Sequence, residues 1–509
     1  MVRYNLRDSV FGFLVSVFFL VLPASGNIEV AGIFSDNMVL QRQLPVKVWG
    51  WGDVGENVTV RIAGKKGSGV CGRDGKWMVT LEASEAGGPF ELVIEGKNKI
   101  SFSNVMFGEV WVCSGQSNMQ FGIASVVNAE EEIKNADYPN IRLFSVPNRI
   151  SGLAKEDLKS RWLVCSPKTI RNRWGSFSAV GYFFGRELHK EVGVAIGLIN
   201  SSWGGSHIEA WIPENGFGAS GELTALSKFV KQTNEDYRAK LMREIENANE
   251  RSSGFGTPFV LAKHPFDVAG GTYPQNPTCL YNSMINPIVG FGIRGAIWYQ
   301  GESNHADGML YYEKMKALIG SWRDIWGVGD FGFYYAQLAP HDGSLYKKHE
   351  LPILCQAQLK ALEIENTGMA VTNDLVDNVR DIHPKNKQDV GKRLALWALA
   401  KTYGKKGIVY SGPLFESMRV EGDSIRVSFS HTGSGLMSRD EKELNWFEIA
   451  GEDRNFVKAN ARIEGDTVVV CSEEIKEPAA VRYGWDKTAM PNLCNKEGLP
   501  ASAFNTDLE

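Results

Sequence analysis

The hydrophobic and polar positions divide the chain into three stretches with different periods. In residues 27–103, short segments such as Val58-Thr59-Val60-Arg61-Ile62 alternate apolar and polar residues between Gly, Pro and Asp. A period of two residues is typical of strands with one buried face. The same signature returns in residues 407–509, for example in Ile425-Arg426-Val427-Ser428-Phe429. We therefore predict an all-β unit in each of the two flanking segments.

The middle stretch, residues 104–406, instead carries continuous apolar runs between segments of helical period. The runs are Val110–Cys113, Ala195–Ile199, Ala296–Tyr299 and Met369–Thr372. Strands that are apolar on both faces belong to a parallel sheet with helices on both sides. The sequence thus predicts the α/β fold class, with a three-layer α/β/α core.

Helical segments lie between these runs. Apolar residues recur at helical spacing after Ser178, a candidate cap, as well as from Met315 to Trp322 and from Gln388 toward Tyr403. Residues 216–278 break the alternation of strand and helix with a charged helical stretch and a tail rich in Gly and Pro. We interpret that segment as an insertion over the sheet.

Residues 1–26 have the pattern of a signal peptide. Arg3 and Arg7 precede an apolar run from Val10 to Leu22, and small residues follow up to Gly26. The run has 13 residues, whereas a membrane-spanning helix needs about 20. We predict cleavage before Asn27 and a secreted or otherwise extracytoplasmic protein that has no membrane anchor after cleavage.

The overall composition is that of an ordinary folded protein. The 509 residues are 43% hydrophobic and 22% charged, with a formal net charge of -4. This length accommodates about two or three domains. No cluster of Lys and Arg is interleaved with aromatic residues, so nucleic acid is not among the predicted partners. Nothing in the sequence indicates an oligomeric state.

The seven cysteines show no metal-site spacing. They contain no C-x-x-C pair and have no His partners at zinc-site spacing, so neither a metal nor another cofactor is predicted. An odd number leaves at least one thiol unpaired. Buried free thiols and a partial set of disulfides both remain open. The residues are Cys71, Cys113, Cys165, Cys279, Cys355, Cys471 and Cys494.

A candidate nucleophile follows the run Val110–Cys113. The segment Ser114-Gly115-Gln116-Ser117-Asn118-Met119 places Ser117 in a Gly-containing turn where a buried strand ends. Ligands and catalytic groups gather at the carboxyl ends of parallel strands. Met119 stands where the G-x-S-x-G motif of α/β-hydrolases has its second Gly, so a different serine-esterase fold is indicated. A helix-capping serine is the alternative interpretation.

The segment Asp381-Ile382-His383-Pro384 offers a base and an acid on one loop. A serine nucleophile needs an imidazole base, and the imidazole needs an acceptor that fixes its tautomer. In an extended loop, residues two apart point to the same side, which favours Asp381 as this acceptor. Asp374, Asp377 and Glu302 remain alternatives. Asp381 could also be a cap for the helix after Pro384.

Two further loops follow buried strands and can supply hydrogen-bond donors. They are Trp203-Gly204-Gly205-Ser206 and Gln300-Gly301-Glu302-Ser303-Asn304. Glycine lets backbone N–H groups approach an oxyanion, and an amide side chain adds a donor. Glycines that only form turns are the alternative. For the aromatic residues near these loops, packing is favoured over ligand stacking; they are Trp203, Trp211, Trp298 and Tyr299.

The order serine, glycine, amide, Asp/His resembles the SGNH hydrolases, and the local sequence resembles their sialate O-acetylesterase branch. The resemblance extends over nearly the whole mature chain. The matching segments are Phe34–Arg42, Ser114–Met119, Gly204-Gly205 with Ile208–Trp211, Trp298–Asn304, Asp381–Arg393, Tyr483–Trp485 and Asn495–Pro500.

This resemblance implies a carbohydrate O-acetylesterase with a serine acetyl-enzyme and an O-acetylated sugar or glycan as substrate. Ser117 matches the nucleophile and His383 the base, while the N–H groups of Ser117 and Gly205 with the Asn304 amide would hold the oxyanion. A substrate-binding or acid role falls to Gln116, Gln300 and Glu302. The flanking β units match the accessory β domain of such enzymes.

The chain departs from the family pattern at two places. Most SGNH enzymes have the acid three residues before the histidine, where this chain has Arg380. Cys355-Gln356 replaces an Arg-Glu pair that family members often carry, and the substrate contacts could differ there. An acetylxylan or other polysaccharide acetylesterase is the alternative activity. A carbohydrate-binding protein with an inactive core is a further alternative, against which the intact Ser117 and His383 argue.

Overall fold

The computed structural model describes residues 27–171, 177–251, 262–267, 274–344 and 346–508. The predicted signal peptide, residues 1–26, lies outside them. Within these ranges no helix combines the length and apolar character that crossing a membrane requires.

The N-terminal region consists of short strands in which buried and exposed residues alternate, as the period of two predicts. Strands β1, β3 and β6 form a small antiparallel sheet, while β2, β4, β5 and β7 join a larger sheet through β8. The strands are β1 (Glu29–Val30), β2 (Val39–Gln41), β3 (Val46–Trp51), β4 (Asn57–Ile62), β5 (Lys65–Val70), β6 (Lys76–Leu81), β7 (Gly87–Glu95) and β8 (Lys99–Gly115).

Strand β8 belongs to both the N-terminal region and the central sheet. Its 17 residues pair antiparallel with β7 over the first half and lie between two parallel neighbours over the second. Side chains alternate between exposed and partly buried from Lys99 to Asn104, and all are buried from Phe107 to Gly115. The predicted boundary between residues 103 and 104 therefore falls inside a strand.

The central sheet is mixed and has eleven strands. Its main path runs β10-β9-β11-β8-β12-β13-β14, with every pair parallel except the edge pair β10/β9. The carboxyl ends of β8, β11 and β12 consequently meet at one edge. The further strands are β9 (Tyr138–Ser145), β10 (Trp162–Cys165), β11 (Ala195–Ser202), β12 (Gly295–Tyr299), β13 (Gly332–Ala336) and β14 (Thr367–Ala370).

The predicted helical segments form helices. Ser178 caps one of them, since its side chain accepts a hydrogen bond from the N–H of Gly181 at 3.0 Å. The last helix continues into a π-helical turn, Ala398–Thr402. The helices are α1 (Ser117–Gln120), α2 (Ala129–Lys134), α3 (Pro167–Ile170), α4 (Ala179–Val192), α5 (Thr224–Arg251), α6 (Leu310–Trp326), α7 (Glu350–Lys360) and α8 (Lys387–Trp397).

Helices cover both faces of the sheet. Trp111 of β8 packs against Phe184 of α4 and lies in register with Gly295 of β12. Trp298 is three residues beyond Gly295, so its side chain points to the opposite face, where it packs against Trp322 of α6. The chain thus has an α/β fold with a helical layer on each side of the mixed sheet.

The C-terminal strands enclose a second hydrophobic core, which extends from Ile425 to Phe504. The first core extends from Ile28 to Leu414 and includes the N-terminal region. All seven cysteines have free thiols, and six of them are buried. The C-terminal strands are β15 (Leu414–Glu421), β16 (Ser424–Ser430), β17 (Leu436–Ser438), β18 (Phe447–Ala450), β19 (Val457–Lys458), β20 (Asn460–Glu464), β21 (Thr467–Cys471), β22 (Ala480–Tyr483), β23 (Leu493–Asn495) and β24 (Phe504–Asn505).

Candidate active site

Ser117 is the first residue of α1, immediately after β8 turns at the edge of the sheet. Gly115 enables this turn, because its φ is +133° and a Cβ there would lie 2.2 Å from the carbonyl oxygen of Tyr299. Ser117 is partly exposed, whereas Gln116 and Asn118 are buried. The first N–H groups of a helix lack intrahelical partners, so the N–H of Ser117 is available to a ligand.

The loop after β11 lies directly against the serine. A Cβ on Gly204 would be 3.2 Å from the Cβ of Ser117, so a larger residue would crowd this serine. The N–H of Gly204 is occupied by the Gln120 side chain at 2.8 Å. The next residue, Gly205, has a φ of +71°, and in the described ranges its N–H has no partner. Of the two glycines, Gly205 therefore has the free donor.

His383 lies on the loop before α8, next to the serine turn. Phe121, one turn after Ser117, stacks on the imidazole with ring centroids 5.9 Å apart. The Asn118 amide donates to the carbonyl oxygen of Ile382 at 3.0 Å, which joins the two loops directly. Across the described residues, the Ser117 hydroxyl and the His383 ring make no hydrogen bond to each other. The two loops are thus adjacent, and the two side chains are not directly hydrogen-bonded in the described ranges.

Asp381 contacts His383 in two ways. Its Oδ1 accepts the backbone N–H of His383 at 2.9 Å and lies 3.8 Å from the ring Nδ1. The second distance is within ion-pair range but longer than a hydrogen bond. Catalytic hydrogen bonds in ligand-free enzymes are often long and tighten on substrate binding.

Among the described residues, the other candidate acids either bind other partners or make no contact with His383. Both oxygens of Asp374 accept hydrogen bonds from the Arg393 guanidinium, each at 2.6 Å. Asp377 is exposed and makes no contact with His383 within the described part of the chain. Glu302 is buried and accepts a hydrogen bond from Asn118. Of the four carboxylates, Asp381 is the one placed beside the imidazole.

The environment of His383 favours the neutral ring. Burial is the largest influence and lowers the pKa of His383 below its ordinary value of 6.5, and the charge of Lys387 acts in the same direction. Asp381 opposes both effects. Near pH 7 the imidazole is therefore unprotonated and can accept a proton.

The side-chain amide of Asn304 binds neighbouring protein groups and is not free for the predicted oxyanion contact. Its Nδ2 donates to Glu209 and Asp307 at 2.9 and 2.8 Å, and its Oδ1 accepts from the Ile208 N–H and the Gln300 side chain. An amide nitrogen has two N–H donors, and both are used. In contrast to the prediction, Asn304 has no N–H left for an oxyanion and instead holds two loops together.

Gln300 is likewise saturated. Its amide nitrogen donates to the Ser206 carbonyl oxygen at 3.0 Å and to Asn304 at 2.7 Å, and its Oε1 accepts from Tyr311 at 2.7 Å. Gln116 differs, because its Oε1 faces the N–H groups of Gly301 and Ser303 while its Nε2 has no partner in the described ranges. Gln116 is the candidate amide that retains a free donor.

The aromatic residues near these loops mostly belong to the core. Trp211, Trp298 and Tyr299 are fully buried, and Trp203 is the member of this set that is partly exposed. In the part of the chain that the structure describes, no group of three or more His, Cys, Asp or Glu is arranged to hold a metal ion.

Comparison with known protein families identifies the family to which the chain belongs. The family model described as carbohydrate esterase, sialic acid-specific acetylesterase, matches residues 107–247 and 268–400, which together exceed half of the chain. The chain belongs to this family. It is accordingly a carbohydrate esterase.

Relatives of this esterase are similar over most of their length. The sialate O-acetylesterase of Rattus norvegicus is 34% identical over 418 residues, which cover 75% of this chain and 75% of the relative. The Homo sapiens protein of the same name is 33% identical over 424 residues, 77% of this chain and 74% of the relative. A solved carbohydrate acetylesterase from Xanthomonas citri is 34% identical, with a TM-score of 0.81 over 95% of this chain and all of that one.

Two residues of the esterase's site have roles that the sequence pattern did not reveal. Asn118 joins the serine turn to the histidine loop, and Lys387 is fully buried beneath both, with its Nζ 2.6 Å from the Asn118 Oδ1. Asn118 stands beside Ser117 in the motif, which could have drawn attention to it. A lysine at the start of a helix is ordinarily solvated, so the sequence offered no comparable sign for Lys387.

Proposed function

We propose that this esterase removes O-acetyl groups from sialic acid, with Ser117 as nucleophile and His383 as base. The observation that carries the proposal is the direct junction of the serine turn and the histidine loop, from Asn118 to the Ile382 carbonyl oxygen, in a chain of the sialic acid-specific acetylesterase family. The relatives named sialate O-acetylesterase support the choice of sugar.

In the proposed reaction, His383 takes the hydroxyl proton of Ser117 as the oxygen attacks the acetyl carbonyl carbon. The N–H groups of Ser117 and Gly205 donate to the developing oxyanion, and the free Nε2 of Gln116 is a third candidate donor. Protonated His383 then returns the proton to the sugar oxygen, and the C–O bond breaks. Water, deprotonated by the same ring, then attacks the acetyl carbon of the acetyl-enzyme. The bond from that carbon to the Ser117 oxygen breaks, the ring returns the proton to this oxygen, and acetate leaves.

The finer architecture is part of the proposal. We assign the α/β region to the SGNH type, with residues 104–406 as catalytic region, residues 216–278 as an insertion, and residues 27–103 and 407–509 as flanking β units. The support is the order of the four loops along the chain and the continuous strands that end at them. Asp381 is the proposed acid of the triad, because its Oδ1 lies beside the His383 Nδ1.

An acetylxylan or other polysaccharide acetylesterase is the rival activity, because related sites accept many acetylated sugars. The test is acetate release by purified residues 27–509 from 9-O-acetylated sialic acid and from acetylated xylan, with Ser117→Ala as control for background hydrolysis. We expect a higher kcat/KM for the sialic acid ester. A preference for xylan would contradict the sugar assignment and leave the serine mechanism standing.

Secretion is a separate proposal, and it rests on the pattern of residues 1–26. Expression of the full chain in a secretory host should release protein whose first residue is Asn27 or close to it. N-terminal sequencing of the secreted material measures this. Recovery of chains that begin at Met1 in the membrane fraction would refute cleavage.

The pKa of His383 predicts the pH dependence of the reaction. Because burial and the Lys387 charge lower this pKa below 6.5, the neutral base should persist on the acidic side of pH 7. We expect kcat/KM to rise with pH and to reach half of its plateau below pH 6.5. An acidic limb centred well above 7 would contradict the assignment of His383 as the base.

A further inference from the structure

Lys387 is a buried lysine without an ion-pair partner among the described residues. It has no exposed surface, and no carboxylate in the described ranges lies within 4.0 Å of its Nζ. Its contacts are the Asn118 Oδ1 at 2.6 Å and the ring faces of Phe121 and Tyr299, with centroids 5.0 and 5.2 Å away. Burying an unpaired charge is costly, and the N-terminus of α8 is an unfavourable place for a cation. Buried ionisable groups that are energetically unfavourable in this way are typical of functional sites.

The contact with Lys387 fixes the orientation of the Asn118 amide. The charged form of the lysine only donates, so Oδ1 is the atom that faces it and Nδ2 points the other way. There Nδ2 donates to the Ile382 carbonyl oxygen and to Oε1 of Glu302. One amide therefore connects the serine turn, the histidine loop and the loop after β12.

A second path leads from Lys387 to the imidazole. Its ammonium faces the ring of Phe121, and the same ring stacks on His383. We propose that Lys387 is a positioning residue, which holds the Ser117 turn and the His383 loop together through Asn118 and Phe121 and places a positive charge beside the base. This inference rests on the roles that the proposed function gives to Ser117 and His383.

The charged neighbours determine the sign of the electrostatic effect. Besides burial, three charged or titratable groups shift the pKa of His383: Lys387 on α8 and His341 in the segment after β13 lower it, and Asp381 on its own loop raises it. Burial lowers the pKa of Lys387 to about 7, although the charges of Glu302 and Asp381 act to raise it. Below pH 7 Lys387 is mainly charged and opposes protonation of His383. Removal of the lysine should therefore make the imidazole more basic.

The test compares kcat, KM and the pH profile of the wild type, Lys387→Met and Lys387→Arg. In Lys387→Met we expect kcat to fall about 10- to 100-fold through misplacement of the reacting groups, with KM changed by less than about threefold. The acidic limb of kcat/KM should move up by about 0.5 to 1 pH unit. In Lys387→Arg, which keeps a charge, the limb should stay near its wild-type position. Lys392→Met removes an exposed lysine from the same helix and should match the wild type.

A wild-type kcat and pH profile in Lys387→Met would overturn the inference. If Lys387→Met does not fold, the Asn118→Asp variant provides the test. It keeps the side-chain volume and gives Lys387 a carboxylate partner, but it loses the N–H donor to the Ile382 carbonyl oxygen. We expect at least a tenfold lower kcat in this variant, and an unchanged kcat would overturn the inference. Full activity in Ser117→Ala or His383→Ala would instead refute the proposed function, whatever the Lys387 variants show.

Discussion

Replacing Ser117 with alanine should lower kcat by several orders of magnitude and leave the melting temperature unchanged. The residual rate would come from substrate binding and the oxyanion donors alone. The fold should tolerate the change, because Ser117 is partly exposed and its hydroxyl makes no hydrogen bond to another described residue. Steady-state acetate release and thermal unfolding of the purified variant measure both quantities.

Ser125→Ala is a matched control for this experiment. Ser125 ends the short 3₁₀ helix Ile123–Ser125, is exposed and lies close in sequence to the serine turn. It should retain wild-type kcat. The assignment of Ser117 would be wrong if its alanine variant kept more than about a tenth of the wild-type kcat, a barrier change of only about 1.4 kcal/mol.

Asp381→Asn is expected to lower kcat by up to about 10⁴-fold, since an asparagine amide favours the wrong imidazole tautomer. A structural cap would behave differently, with a loss of about 1 kcal/mol of stability and little change in activity. The Asp381 Oδ1 accepts the His383 N–H as well as facing the ring. Both kcat and the melting temperature are therefore needed to separate the two roles.

The other carboxylates provide the comparison. Asp377→Asn should be close to the wild type, because Asp377 is exposed. Asp374→Asn should lower the melting temperature, because it breaks a largely buried bidentate pair with Arg393. Near-normal kcat in Asp381→Asn together with a collapse in Glu302→Gln would move the acid to Glu302, with Ser117 and His383 unaffected.

The local sequence pattern located four of the seven strands on the main path of the central sheet, β8, β11, β12 and β14, together with the helices α4, α5, α6 and α8. Continuous apolar runs such as Val110–Cys113 and Ala296–Tyr299 lie within β8 and β12, and the charged helical stretch predicted within residues 216–278 corresponds to α5. The run predicted at Met369–Thr372 is shifted, since β14 occupies Thr367–Ala370. Element ends depend on partner strands, which a local pattern does not contain.

Long-range partners explain what the sequence could not provide at the site. The Asn304 amide is saturated by Glu209, 95 residues earlier, as well as by the nearby Asp307. Lys387 meets Asn118 across 269 residues, and no periodicity records that contact. The pairing of a serine turn with an Asp/His loop could be predicted from sequence because both segments resemble those of the sialate O-acetylesterase family. The hydrogen bonds that hold these loops together could not be predicted from the sequence.

Strand β8 limits how this protein can be dissected. A fragment that starts at residue 104 would cut the strand in two and remove β2 and β7, its partners on the N-terminal side. Strand β8, which leads to the Ser117 turn, would then have unpaired backbone groups along that part of its length, and such groups promote aggregation. The N-terminal region is therefore not an exchangeable module. In chimeras between related esterases, residues 27–115 should therefore all come from the same parent protein.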